Sequence, residues 1–460
     1  MEDHVGFGGK TGLSGKDWTE GHIFTNLMKL YWPMAVTNIL TMLGPTIDMV
    51  WVGKLGSASV AGVGAAGIAV QLTVTSTMGL SLGLRALIAR FIGAKDMPGA
   101  NHTAQQGLLL SAFFGLFIAL VGVFFAEPIL NLLRLRPEVV REGAAYLRVM
   151  FIGMGAMSFR VMTEGVMQAS GDTVTPMKIS VVYRLLHVAL CPFLVFGLWI
   201  FPRLGVSGAA ATNILSQTTA VLLGLWVLFR GRTRLRLTLR HFRVDLRMIW
   251  RIIRIGVPAI VSGAQRTFSH FFLLLFIAPF GTAAVAAHTI NQRMEVILFM
   301  NSMAFGMSAG VLVGQNLGAL KPDRAEKSAW IAVALVEMMV IAASAAILIW
   351  AEGIVCIFNA EPEVVEVGGK FMRIAVAGFV VMGFVAVGMQ SLAGAGDTMP
   401  TMIISLITMW GITLPLAYLL PRVTDMGVYG IRWAMSAGMV FGAIVFTTYF
   451  RMGRWKRRKV

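Results

Sequence analysis

The 460-residue sequence is poor in charge, poorer still in acids, and nearly without cysteine. Charged residues make up 13% of it, against about 25% in soluble domains, while 57% are hydrophobic and the mean hydropathy is +0.76. No soluble core uses that much apolar surface, so a soluble globular protein is excluded. The two cysteines, Cys191 and Cys356, fall in or at the end of apolar helical stretches. A disulfide framework and a zinc site are therefore not readable, and no redox role is expected. Nucleotide motifs are missing as well. Gly9-Lys10-Thr11 imitates the end of a phosphate loop, but His4 stands where the loop's first glycine belongs. Gly62-Val63-Gly64-Ala65-Ala66-Gly67 has dinucleotide-fingerprint spacing, yet it lies within an apolar helical run with no strand before it. No acids, histidines or metal ligands cluster at one end of the apolar runs, so a membrane enzyme, a catalytic residue, a bound metal and a cofactor are all unexpected.

What is present is a chain of membrane-length runs, since about 20 helical residues cross a bilayer. Twelve are predicted: 23–52, 58–89, 104–126, 143–168, 174–201 and 207–229, then 251–280, 283–315, 328–351, 370–393, 399–420 and 427–450. The first is too long for a signal-peptide core and is expected to be retained. The second six repeat the first at an offset of 225 residues. Pro33 returns as Pro258, Gly93-Ala94 as Gly318-Ala319, Pro137-Glu138-Val139-Val140 as Pro362-Glu363-Val364-Val365, and Gly171-Asp172-Thr173 as Gly396-Asp397-Thr398. A repeat this long is a whole lobe, and six spans per lobe make the repeats parallel, related by an axis along the membrane normal. The expected fold is all-α and integral to the membrane: twelve transmembrane helices in two six-helix lobes related by an internal pseudo-two-fold, with a cleft between them that opens to either side. That is the architecture of a secondary transporter. The 50 glycines fit close helix packing in lipid.

The predicted organisation is a polar segment 1–22, an N-lobe 23–230, a basic linker 231–250, a C-lobe 251–450 and a basic tail 451–460. Basic residues in short loops set orientation. Arg230, Arg232, Arg234, Arg236, Arg240, Arg243, Arg247, Arg251 and Arg254 surround the linker, and Arg451, Arg454, Lys456, Arg457, Arg458 and Lys459 fill the tail. Both regions, and by parity the N-terminus, belong on the cytoplasmic side, as does the loop with Lys321, Arg324 and Lys327. Arg134, Arg136 and Arg141 run against the rule. The net charge of +17 fits topology and anionic lipid, not nucleic acid. The expected location is the prokaryotic plasma or inner membrane, multi-pass, as a monomer.

Four stretches carry a resemblance: Asp48-Met-Val-Trp-Val-Gly-Lys-Leu-Gly56 closing the first span, Ala86 to Ala94 closing the second, Gly171-Asp-Thr-Val-Thr-Pro176 after the fourth and Val313-Gly-Gln-Asn-Leu-Gly-Ala319 closing the eighth. In order and spacing they resemble the MATE family of multidrug and toxic compound extrusion transporters. The resemblance covers almost the whole chain. It implies cation-coupled antiport of amphipathic, mostly cationic compounds by alternating access.

Coupling needs ionisable groups inside the membrane, which cost about 2.5 to 3.5 kcal/mol to insert and are usually functional. Asp48 is the first candidate. It follows Pro45 by three residues, on the same helix face, and Pro45 leaves the carbonyl of Thr41 without its helical donor. Pro45 is thus the candidate hinge. Glu164 is the second candidate, with a local pair to Arg160 as its structural alternative. The offset pairs Asp48 with Leu273, Pro45 with His270 and Glu164 with Met389, so the duplicated scaffold requires none of the three.

The resemblance maps an N-lobe site onto Asp48, Glu164, His187, Cys191 and Thr212. Family members with a full cation cage carry asparagine where His187 stands and aspartate where Cys191 stands. A sodium ion needs hard oxygen ligands, so H+ is favoured as the coupling ion over Na+. His187 is a further titratable candidate. The seventh-helix acid of another family branch falls at Arg266, which removes a C-lobe cation site. The remaining intramembrane charges are Arg85, Arg184, Arg266, Arg293, Glu295 and Glu337, of which Arg184, Arg266, Arg293 and Glu295 are candidates for substrate contact or a polar network. Thirty Met and 29 Phe offer adaptable walls for varied apolar ligands, although most must face lipid or pack helices. The alternative function is a lipid-linked precursor flippase of the same superfamily, which would make sense of the buried arginines; such relatives commonly carry two extra helices that this chain lacks.

Overall fold

The computed structural model describes residues 16–240 and 242–458. His4, Gly9-Lys10-Thr11 and Lys459 lie outside the described residues. The N-lobe contains α1 (Ile23–Val52), α2 (Ser57–Gly93), α3 (Met97–Asn131), α4 (Pro137–Ile152), α5 (Met154–Ala169), α6 (Val174–Phe196) and α7 (Val206–Phe229). The C-lobe contains α8 (Leu246–Ile277), α9 (Thr282–Gly318), α10 (Pro322–Phe358), α11 (Pro362–Phe379), α12 (Met382–Gly394), α13 (Thr398–Leu406), α14 (Leu414–Val423) and α15 (Val428–Arg451). Among the described residues ten spans are continuous and long and apolar enough to cross a membrane, with α13 and α14 sharing one. The fourth span of each lobe is a bent pair, α4 with α5 at 46° and α11 with α12 at 47°, which completes twelve.

The repeat is visible in local structure. Pro137 and Pro362, paired by the offset, each stand at the first position of a helix, where a missing N–H costs nothing and the fixed φ suits the turn. The lobes differ at the eleventh span, where a π-helical turn over Ile407–Thr413 replaces the regular helix of α6. Lipid faces are plain in the third span of each lobe. Phe113, Phe117 and Phe124 of α3 and Ile341, Ile349 and Trp350 of α10 are all more than half exposed, an arrangement that hydrocarbon solvates and water does not.

One end of the molecule gathers the N-terminal segment, the linker and the tail. Arg234 donates to the Lys16 carbonyl, Arg324 to that of Gly21, and Lys456 pairs with Glu326 at 2.5 Å. At this linker face the lobes meet through a reciprocal contact. A Cβ on Gly93 would run into the Gln315 carbonyl at 2.0 Å, and one on its repeat mate Gly318 would run into the Arg90 carbonyl at 2.1 Å. Arg90 and Gln315, also repeat mates, each donate across the interface, to Ala395 O at 3.0 Å and Ala169 O at 2.8 Å. Toward the same end Gly79 and Gly83 of α2 lie against Gly256 and Ile252 of α8. At the opposite end of α2 a Cβ on Gly64 or Gly67 would meet nothing within 4 Å. The lobes are sealed at the linker face.

Candidate functional site

Asp48 lies one turn from the end of α1, 3% exposed, and faces α6. His187 Nε2 is 2.9 Å from Asp48 Oδ1, and Arg184 Nη1 is 2.7 Å from His187 Nδ1. A guanidinium can only donate, so Nδ1 accepts and the imidazole is neutral with its proton on Nε2. That proton is donated to Asp48, which accepts as a carboxylate. The three residues form a polarised chain, from a buried cation through a neutral ring to a buried anion. Its net charge is zero, which is how a low-dielectric interior tolerates both ends.

Arg184 also reaches the backbone at Pro45, the candidate hinge. Its Nη2 donates to the carbonyl of Thr41 at 3.4 Å, the acceptor stranded by Pro45. The approach depends on Gly44, where a Cβ would stand 2.7 Å from Arg184 Nη1. Two further bonds follow the same helix, Thr37 Oγ1 to the Pro33 carbonyl and Thr41 Oγ1 to the Thr37 carbonyl, both at 2.9 Å. Cys191 Sγ is 3.9 Å from Asp48 Oδ1.

Asp48, His187 and Cys191 bring ligand atoms within 4.8 Å of one another, close enough to raise the question of a metal. The donor set does not fit one. Arg184 occupies Nδ1 as a donor, so a metal on Nε2 would require an imidazolate beside a guanidinium charge. For a hard cation only the Asp48 carboxylate offers suitable oxygen ligands in this trio.

The remaining predicted residues divide into separate groups. Glu164 does not join Asp48. It pairs with Arg160 Nη1 at 2.7 Å and accepts from Gln168 Nε2 at 3.0 Å, while Arg85 donates to Gln168 and Arg160 to Gln217. Tyr183 connects the two sets, its ring centroid 5.2 Å from the Arg160 guanidinium and 5.1 Å from that of Arg184. Thr212 is fully buried, but its hydroxyl is spent on the Gly208 carbonyl of its own helix. In the C-lobe, Arg293 is exposed on α9 while Glu295 and Arg266 line a cavity. Glu337 is buried against the α11–α12 break, accepting from the Phe384 N–H at 3.2 Å.

A family model for MatE matches residues 33–193 and again 258–419, once in each lobe. The chain belongs to the MatE family. Among MatE relatives, the probable multidrug resistance protein YpnP of Bacillus subtilis (strain 168) is 26% identical over 96% of this chain and 98% of its own. The probable multidrug resistance protein NorM of Thermotoga maritima is 25% identical over 94% and 93%. A crystal structure of MATE in the bent conformation superposes with a TM-score of 0.89 at 24% identity, covering 95% of this chain and 96% of that one. An outward-facing multidrug resistance MATE family transporter of the MOP superfamily gives 0.88 at 24% identity over 95% and 96%. These likenesses establish the fold.

Sequence reasoning missed the donor to Thr41. The stranded carbonyl was visible in Pro45, but its partner lies on α6, 143 residues away. It also missed Arg432, which is 2% exposed and lines the C-lobe cavity. An arginine four residues into the last span has the look of a side chain that reaches the interface. The glycines, serine and methionines around it gave no contrary signal.

Proposed function

We propose that this protein is a multidrug efflux antiporter that exports amphipathic compounds, organic cations foremost, in exchange for protons bound at Asp48. The observation that carries the reading is the polarised chain Arg184–His187–Asp48 attached to the Pro45 hinge. MatE membership and the relatives named multidrug resistance proteins support efflux as the activity. On this reading Glu164 is the counter-charge of Arg160, and the face with linker and tail is cytoplasmic.

A proton arriving at Asp48 removes the negative end of the chain. The neutral acid still accepts the Nε2–H through its carbonyl oxygen, but it no longer balances the Arg184 charge. The chain is therefore loosened, and with it the tie between α6 and the Thr41 carbonyl. α1 is then free to bend at Pro45 and close the N-lobe space beside it, expelling the compound outward. The proton leaves when the site next faces the cytoplasm. One charge crossing 100 mV supplies about 2.3 kcal/mol, enough for a roughly fiftyfold gradient. Sodium is disfavoured by the Nε2–H aimed at the carboxylate and by the guanidinium charge behind the ring.

The test is transport of an organic-cation dye in proteoliposomes under an imposed proton gradient or an imposed sodium gradient, with Asp48→Asn beside the native chain. Proton-driven transport that the substitution abolishes is the expected result. Sodium-driven transport would overturn the coupling ion, and no dye movement under either gradient would favour a lipid-linked precursor flippase.

A further inference from the structure

The largest cavity described is not beside Asp48. It lies in the C-lobe, in the half away from the linker, with a volume of about 280 Å³. Its walls are apolar: Phe299, Phe379 and Phe446 with five methionines, among them Met409 and Met439. Set into them are Arg266, Arg432, His270, Gln265 and Gln292, with Glu295 the one acid of the lining. The duplication did not supply these charges. The offset pairs Arg266 with Thr41, Glu295 with Val70 and Arg432 with Ser207.

Among the described residues no carboxylate lies within ion-pairing distance of either guanidinium. Arg432 is held by neutral groups: the Asn291 amide, whose oxygen is the atom that must face it, His288 Nδ1 at 3.5 Å and Met435 Sδ at 3.2 Å. Its Nε has no partner. Arg266 lies over the Phe299 ring with its guanidinium 4.5 Å from the centroid. His270 Nδ1 is 3.1 Å from Gln292 Nε2, an amide donor, so Nδ1 accepts and the Nε2 proton is left to give. Two cations against one acid leave a positive cavity, and an uncompensated charge in an apolar surrounding is costly until a counter-charge enters.

We infer that the C-lobe cavity is a binding site for an amphipathic organic anion, its carboxylate or sulfonate meeting Arg266 and its apolar body packed among the methionines and phenylalanines. Arg432, deeper and fixed, adds field without needing contact. Half-buried and stacked on Phe299, Arg266 is placed to turn its fork toward an incoming carboxylate, a geometry guanidinium matches with two parallel donors. Methionine walls adapt to differing shapes, so selection rests on charge and amphipathicity. This extends the efflux reading to a second class of compound held in the opposite lobe from the proton. The occupancy of the cavity is independent of how transport is driven.

Equilibrium binding tests it with no ion gradient present. The purified full chain in nanodiscs is titrated with dansylglycine, a fluorescent carboxylate, and with its methyl ester, which has the same body and no charge. The acid is expected to bind about tenfold more tightly than the ester or better. Arg266→Gln removes that preference, Arg266→Lys keeps most of it, and Asp48→Asn leaves it unchanged while abolishing proton-driven transport. Equal binding of acid and ester to the native chain overturns the inference, as does a preference that survives Arg266→Gln. Absence of transport by the native chain, with its binding preference intact, overturns instead the efflux reading.

Discussion

Arg184 of α6 donates to the Thr41 carbonyl of α1 at 3.4 Å, across the point where Pro45 interrupts the helical ladder. The same guanidinium holds His187, and His187 holds Asp48. The candidate hinge and the candidate coupling acid therefore share one cation. Arg184→Gln is expected to abolish proton-driven transport, while costing about 1 to 3 kcal/mol of stability through the stranded carbonyl and the uncompensated carboxylate. Transport and thermal unfolding measured on the same preparation check both. Transport that survives would detach the hinge from the acid.

The two N-lobe acids should separate in the same pair of assays. Glu164 shares its charge with Arg160 and, through Gln168, lies in one network with Arg85. Glu164→Leu leaves a buried cation without its partner and is expected to cost about 3 to 5 kcal/mol. Asp48→Asn retains the ring contact and should change stability far less while stopping transport. The reverse pattern would assign coupling to Glu164.

The linker-face seal makes a prediction about conformation. Because Gly93 and Gly318 face carbonyls at 2.0 and 2.1 Å from a notional Cβ, Gly93→Val forces the backbones apart. The lobes should then shift away from the state sealed at this end. Thiol labelling of a cysteine placed at Ala89, buried in the seal, should rise severalfold in the Gly93→Val background. Unchanged labelling would show that the seal is not set by this contact.

Outside the membrane, Asp245 caps α8 through the amides of Met248 and Arg247 and receives His102 at 3.2 Å. Those bonds, the Met248 amide first and the His102 ring next, hold its carboxyl below the ordinary value of 3.8. A depressed carboxylate stabilises the folded state above its unfolded value, and that contribution disappears as pH falls through the folded value. Docking of the linker is therefore expected to hold from neutral pH down to about 4 and to weaken below it. Hydrogen exchange of residues 242–250 reads this directly, and Asp245→Asn, which keeps the cap, should flatten the acid limb.

Much of this molecule could be read from its sequence, for physical reasons that also mark the limit. Twelve apolar runs and one offset gave the two-lobe fold, because a bilayer leaves few alternatives to helices of fixed length. The bend within the fourth and tenth spans was not readable. Gly153 stands at the first break, but no proline marks either one. Asp48, Pro45 and His187 were found as a rare acid, a helix breaker and a departure from the family's pattern, and the structure brings His187 onto Asp48. The direction of the hydrogen bonds depends on Arg184, whose role only the packing of α6 on α1 reveals. Glu164 was equally conspicuous in the sequence, and its neighbours place it elsewhere.

The central claim is that protonating Asp48 frees α1 to bend at Pro45. Spin labels at Val50 of α1 and Val188 of α6 report that bend as a distance measured by double electron–electron resonance in the native chain and in Asp48→Asn, which removes the charge as a bound proton does. The account predicts a shifted distance in Asp48→Asn. A distance that Asp48→Asn leaves unchanged would contradict it.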